Sequence, residues 1–340
     1  MIKFLLIYKY FIILFCSFYL FWIFHNQKLF DNLLTKKYFI DIYKSLGKND
    51  DLSLFLTNKT KFYYIKRKNY LKRRNKKYDE SNLKTFQDKL NYLMIHESPE
   101  YKARIADKIR LSEYSKKILG KDLCIPIIKI YNNANEINLN ELPEQFVIKC
   151  NHGSNMNIFC QNKTEFDINH TKFLLNKWMK TNYALGGMEF QYYFIKRKIF
   201  VSPYLGKLID YKIFCFNGKP KYIGAKIILD FEKHKCIYNY YDINWRLTEI
   251  DYGNENYKRD PNRLIEKPKN LPLLIEYAEK LSKEFVFVRV DFYEIKGKVY
   301  LGELTFSPSN NGMPFKDYNQ SLYLGSLLDI TKIKKNLFNN

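Results

Sequence analysis

The longest uniform stretch of the chain lies at its start. From Phe4 to Phe24 the residues are apolar or aromatic apart from Lys9 and Ser17, close to the ~20 residues that cross a bilayer as a helix. His25, Asn26, Gln27 and Lys28 follow, with no small-residue cleavage site, so the run reads as an uncleaved anchor in preference to a removed signal peptide. A buried or interfacial helix is the alternative, and Lys9 favours it. Further along, Leu83, Phe86, Leu90 and Leu93 after Ser81, then Tyr101, Ile105, Ile109 and Ile118 before Gly120, recur at helical spacing and predict helix through 81–120. After Pro126 the texture changes to short apolar runs between turns, the pattern of strands: QFVIKC (145–150), MNIFC (156–160) and IFVSPYL (199–205). Leu174 to Trp178 belong to a helix, and Leu274, Ile275, Ala278 and Leu281 mark another. Two hairpins are expected, one over 210–229 around Asn217-Gly218 and one over 285–305. No repeat of fixed period is visible.

A length of 340 residues suggests about two domains. A hydrophobic share of 46% with 17% aromatics exclude a disordered or collagen-like chain, because that much apolar surface does not stay solvated. Charge adds a partner class: 57 Lys and Arg against 35 Asp and Glu leave +22, so nucleic acid, a nucleotide or anionic lipid is expected. Nine basic residues and no acid lie between Lys61 and Lys77. That stretch suits anionic headgroups, at ~1 kcal/mol per Lys or Arg, or a solvated helix face; nucleic acid ranks last, since the aromatics mostly follow core periodicity. Lys28, Lys36, Lys37 and Lys44 after the apolar run, against Lys3 and Lys9 before it, place the body on the cytoplasmic face of the membrane. The six cysteines form no C-x-x-C pair and read as reduced thiols, and the five histidines lack ligand spacing, which gives a zinc site little support.

The second hairpin carries the strongest candidate chemistry. Asp291 and Glu303 each lie six residues from Gly297, so an antiparallel pair pivoting there sets them opposite one another with Cβ atoms ~4.5–5.5 Å apart. Two carboxylates that close repel unless a cation joins them, and oxygen ligands on strands suit Mg²⁺ or Mn²⁺ bridging phosphates. Period two puts Arg289 and Thr305 on the same face. A one-residue slip undoes the geometry and leaves a solvated hairpin face. Lys149 ends an apolar strand before a loop with Gly153 and Ser154, which can cradle phosphate oxygens; neither the Walker pattern nor G-x-G-x-x-G is present. Lys108 in the helical segment, and Asp210 with Lys212 on one strand face, give that lysine company.

ADKIRLSEY (106–114), LPEQFVIKCNHGSN (142–155), MEFQYYF (188–194), DYKIFCFNGKPKYI (210–223) and RVDFYEIKGKVYLGELTF (289–306) together resemble the TupA-like ATP-grasp family, over roughly residues 80–325. The resemblance implies two α+β subdomains gripping ATP between antiparallel sheets. It implies an ATP- and Mg²⁺-dependent ligation of a carboxylate to an amine in assembly of cell-surface polysaccharide, the carboxylate- or amine-bearing precursor being the partner. Carried over, Lys108 and Lys149 contact the nucleotide phosphates, the Gly153–Ser154 loop is the flap over them, and Tyr204 and Leu205 form the hinge at adenine. Asp210 holds the ribose hydroxyls with Lys212 beside it. Asp291 and Glu303 are the metal carboxylates with Thr305 as a third oxygen, and Arg289 joins Lys149 in neutralising the phosphoryl group. Ser202 and Pro203 stand where the hinge usually carries an acid, and Thr305 stands where many ATP-grasp enzymes have Asn. The expected organisation is an apolar anchor or interfacial helix at 1–27, a basic helical region at 28–80, the ATP-grasp region at 81–325 and a basic tail at 326–340. A nucleotide-sugar glycosyltransferase and a non-catalytic membrane-docked scaffold are the competing readings.

Overall fold

The computed structural model describes residues 58–230, 235–254 and 256–333. The apolar run 4–24 lies outside the described residues, as does the tail beyond 333. Among the described residues no helix is long and apolar enough to cross a membrane. The chain divides into two compact units, Met1–Phe62 and Tyr63–Asn340; the described part of the first is 58–62, and both sheets belong to the second.

In chain order the elements are α1 (Lys59–Arg73), α2 (Phe86–His96), α3 (Pro99–Ala106), α4 (Leu111–Leu119), β1 (Lys129–Tyr131), β2 (Phe146–Cys150) and β3 (Asn157–Cys160). Then come α5 (Ile168–Lys180), α6 (Tyr183–Gly187), β4 (Ile199–Pro203), β5 (Asp210–Phe216), β6 (Lys219–Asp230), β7 (Lys235–Asp242) and β8 (Tyr257–Lys258). The chain continues through α7 (Leu271–Ser282), β9 (Phe287–Ile295), β10 (Lys298–Thr305) and α8 (Tyr318–Ser326). A four-stranded antiparallel sheet has the order β1-β4-β2-β3, and a six-stranded sheet has the order β10-β9-β5-β6-β7-β8, antiparallel except for β7 with β8.

Alternation along β5 shows why the larger sheet has a functional face. Tyr211, Ile213 and Cys215 point into a core with Leu274, Ala278 and Leu281 of α7, whereas Asp210, Lys212, Phe214 and Phe216 share the other face. The aromatic half of that face packs under α2 and α8, where Phe86, Leu90 and Leu324 meet Phe214 and Phe216. The charged half lines a cavity.

The expected helix over 81–120 is three helices. Ser98 caps α3, its hydroxyl accepting from the amide of Tyr101, with Pro99 in the first turn. Asp107 closes α3, and its carboxylate accepts from the amide of Ile109 in a local turn. Lys108 therefore sits in that turn and not in a helix, which aims it off the helical face.

Both hairpins close through two-residue turns with left-handed residues, Asn217-Gly218 and Lys296-Gly297. Ile295 pairs with Lys298 and Phe292 with Leu301, a register that would set Asp291 opposite Gly302. A bulge absorbs Gly302, and Asp291 faces Glu303. The expected pairing is thus present, produced by a tighter turn and one extra residue in the strand.

Candidate active site

Each strand contributes to the cavity through one alternating face. On β2 Val147 and Lys149 face it, paired with Ser202 and Phe200 of β4. On the larger sheet Lys212 lies between Asp291 on β9 and Gly224 on β6, Asp210 pairs with Lys226, and Arg289 pairs with Thr305. The cavity is about 850 Å³ and is walled by both sheets. Lys108, Lys149, Ser154, Tyr204, Leu205, Asp210, Lys212, Arg289, Asp291, Glu303 and Thr305 all line it. Gly153 stands just behind, its carbonyl accepting from Lys108 Nζ at 2.8 Å. The residues expected from sequence thus converge on one space.

A charge network organises the floor. Asp291, 2% exposed, accepts from Arg289 Nε at 2.6 Å and Nη2 at 2.7 Å and from Lys212 Nζ at 2.6 Å. Glu303 Oε1 accepts from Arg289 Nη2 at 3.0 Å and from Thr305 Oγ1 at 2.9 Å, and Lys108 Nζ lies 3.6 Å from Oε2. Burial pushes the Glu303 carboxyl up, but Lys108 and Arg289 outweigh it and hold it well below the usual range. Burial likewise opposes ionisation of Asp210, and Lys212 and Lys226, at 3.4 and 3.0 Å, reverse that effect. Lys149 behaves differently: burial first, then repulsion from Lys108, lower its ammonium to about 8.

Asp291 and Glu303 face one another across the hairpin, with Arg289 bridging them. Among the described residues no cluster of three or more His, Cys, Asp or Glu forms a cation cage. Two facing carboxylates fit an ion that takes its other ligands from phosphate and water. Thr305 can add an oxygen, although its hydroxyl already donates to Glu303 and accepts from Arg289.

The other end of the cavity is apolar, walled by Ile127, Val147, Phe200 and Leu301, with Tyr204 and Leu205 following β4 at its rim. The Ser202 hydroxyl faces this end, buried and without a partner among the described residues. It stands where an acid was expected at the hinge, and supplies one polar atom to an otherwise greasy slot. Gly153 is required by contact: a Cβ there would meet the Tyr183 ring at 2.8 Å. Asn151 fixes the same loop, donating to Asp107 Oδ1 at 2.9 Å and so tying it to the Lys108 turn.

No side-chain nucleophile emerges from Cys150 and His152. Burial pushes the Cys150 thiol up to about 12 and the His152 imidazole down to about 4, and the His152 ring contacts the Trp178 carbonyl at 3.1 Å.

Four groups at or behind the cavity were missed from sequence. Lys226 follows from the first hairpin once its bulge after Phe214 is counted. Arg67 came from the basic stretch yet is 1% exposed; it donates through Nε to Asn91 Oδ1 at 2.9 Å and through Nη2 to the Asn310 carbonyl at 2.8 Å. Glu189 and Ser307 are joined by a hydrogen bond across 118 residues, a pairing with no local signal.

Two sheets, antiparallel except for β7 with β8, thus wall a cation-rich cavity that carries one acidic hairpin. The sequence model of the TupA-like ATPgrasp family matches residues 88–329, more than half of the chain, and the chain belongs to that family. A search among curated proteins found no match. Among solved structures the chain is similar to D-alanine–D-alanine ligase from Helicobacter pylori, at 15% identity and TM-score 0.37 over 66% of this chain and 62% of that one. It is similar to N5-carboxyaminoimidazole ribonucleotide synthetase in its ADP complex, at 16% identity and TM-score 0.40 over 66% and 51%. A third likeness is to L-amino acid ligase from Bacillus licheniformis, at 11% identity and TM-score 0.38 over 62% and 44%. The match spans less than two-thirds of each of these three chains.

Proposed function

We propose that the protein is an ATP- and Mg²⁺-dependent ligase that joins a carboxylate to an amine during assembly of a cell-surface polysaccharide. The observation that carries this reading is the Asp291–Glu303 pair, opposed across the β9–β10 hairpin and facing Lys149 and Lys108 within one cavity. In this reading the adenine occupies the apolar slot beside Tyr204 and Leu205, the ribose hydroxyls meet Asp210 with Lys212 beside it, and the phosphates meet Lys149 and Lys108 under the Gly153–Ser154 loop. Asp291 and Glu303, with Thr305 beside them, hold the cation, which when bound neutralises phosphate charge. A carboxylate oxygen of the acid attacks the terminal phosphorus, ADP departs, and Arg289 and Lys149 balance the charge of the moving phosphoryl group. The amine then attacks the acyl carbon and phosphate leaves. The basic stretch 61–77, with eight of its nine cations outside the core, and the apolar run 4–24 support work at the cytoplasmic face of a membrane, on a lipid-proximal substrate.

The test is a screen of the full chain with ATP, Mg²⁺, and carboxylates and amines of the kinds found in cell-surface polysaccharides. Release of ADP and phosphate that depends on both acid and amine supports the proposal. Turnover of a nucleotide-sugar without ATP would install the glycosyltransferase reading, and absence of ATP·Mg²⁺ binding by calorimetry would leave a scaffold.

A further inference from the structure

Beyond the phosphate-facing carboxylates the cavity holds a fourth acid that the scheme so far does not use. Glu189 follows α6, is 6% exposed, and lines the cavity together with Ser307, two residues past Thr305. Thr305 and Ser307 thus carry the cavity wall from the cation end toward Glu189. Glu189 Oε1 accepts from Ser307 Oγ at 2.6 Å, and Ser307 Oγ in turn accepts from Gln191 Nε2 at 2.8 Å. Oε2 lies against Gly187, where an added Cβ would stand 2.9 Å away, and takes no hydrogen bond from the described residues. Among the described residues no Lys or Arg ion-pairs with this carboxylate. Arg67 acts on it through space while its own donors go to neutral oxygens of Asn91, Gly187 and Asn310. A buried carboxylate with an oxygen to spare and no direct ion pair among the described residues would gain one from a protonated amine.

We propose that Glu189 is the acceptor-side carboxylate: it binds the ammonium group of the incoming amine and takes one proton from it, freeing the lone pair with which the nitrogen then attacks the acyl phosphate. This inference rests on the ligase reading and narrows its acceptor to a primary amine that is cationic in solution. The ammonium gives one proton to Glu189; the C–N bond forms as the acyl C–O bond to phosphate breaks; the second N–H proton leaves with the phosphate. The groups facing Glu189 are Ser307, Arg67, Tyr183 and Tyr192. Burial raises its carboxyl to about 7, against the Ser307 hydrogen bond and Arg67, a range suited to proton exchange at neutral pH.

The experiment uses the full chain with Mg²⁺, ATP, D-glucuronate or L-glutamate as acid, and either hydroxylamine, which is unprotonated at neutral pH, or ethanolamine, which is an ammonium ion there. Glu189→Gln should hold hydroxamate formation within about twofold of wild type while amide formation from ethanolamine falls by about a hundredfold or more. Glu189→Asp should restore part of the loss. Ser307→Ala removes a bond that favours the charged carboxylate, so the acid limb of the amide pH profile should move to higher pH. Equal loss of both products in Glu189→Gln with ATP·Mg²⁺ binding intact would make Glu189 a structural tie and overturn the inference, as would full retention of amide synthesis. Wild-type protein that forms no hydroxamate with either acid would overturn the ligase reading for these acids and this inference with it.

Discussion

Lys149 links the geometry of the cavity to a measurable proton count. Its ammonium is lowered to about 8 by burial and by Lys108, against the pull of Glu303 and Asp210. At pH 8 about half of the free protein then carries a neutral Lys149, and at pH 7 about a tenth. Phosphate oxygens seated against the side chain favour its charged form and raise the pKa again. Binding of ATP·Mg²⁺ at pH 8 should therefore take up about half a proton, and affinity should fall by up to about tenfold per pH unit above that point. Titration calorimetry in buffers of different ionisation enthalpy reads the uptake directly. Lys149→Arg stays charged throughout and should take up none, and Lys149→Met should bind weakly at every pH. Stability carries the matching sign: the unfolded chain, with the ordinary lysine value of 10.5, binds more protons between pH 8 and 10.5. Folding is therefore penalised by about 3 kcal/mol at neutral pH, and the penalty fades as pH rises through that window. An uptake in wild type no larger than in Lys149→Arg, or an affinity flat from about pH 7 to 9.5, would mean that Lys149 does not gain a proton on nucleotide binding.

Asp291→Asn strips the anion from between Arg289 and Lys212 and should cost about 3–5 kcal/mol in chemical denaturation, with ATP·Mg²⁺ binding lost. Gly302→Ala brings a Cβ to 2.7 Å from the Tyr293 ring. It should destabilise the protein by about 1–3 kcal/mol, read as a lowered Tm, and weaken nucleotide binding through the displaced hairpin. Arg67→Met leaves the carbonyls of Gly187 and Asn310 without their donor. At about 2 kcal/mol or more it should lower Tm, and limited proteolysis should then cut near Ser309–Asn311.

What could be read from the chain was local. Aspartate, lysine and two phenylalanines alternate along β5, and period two alone separates a charged cavity face from a buried one. The Asp291–Glu303 pairing followed from counting about Gly297, and the count survives because the tighter turn and the Gly302 bulge offset one another. β7 was not seen because Cys236–Tyr241 are buried on both faces, which erases alternation. The turn at Lys108 hid inside a helical period because its cause, the Asp107 side chain bonding its own backbone, competes with the helix locally. Arg67 with Asn310, and Glu189 with Ser307, join residues 243 and 118 positions apart, and no window of sequence holds both members of either pair.

The lattice of charges on the cavity floor also fixes what it can hold at neutrality. Five cations, Lys108, Lys149, Lys212, Lys226 and Arg289, meet three anions, Asp210, Asp291 and Glu303, on the floor, and Lys207 and Glu189 add one group of each sign at the cavity wall. The imbalance equals in magnitude, and opposes in sign, that of a dianion such as nucleoside triphosphate complexed with one magnesium. Metal-free triphosphate would overload the floor with negative charge. A nucleoside diphosphate without metal, with about three negative charges, would leave about one of them uncompensated on the same floor.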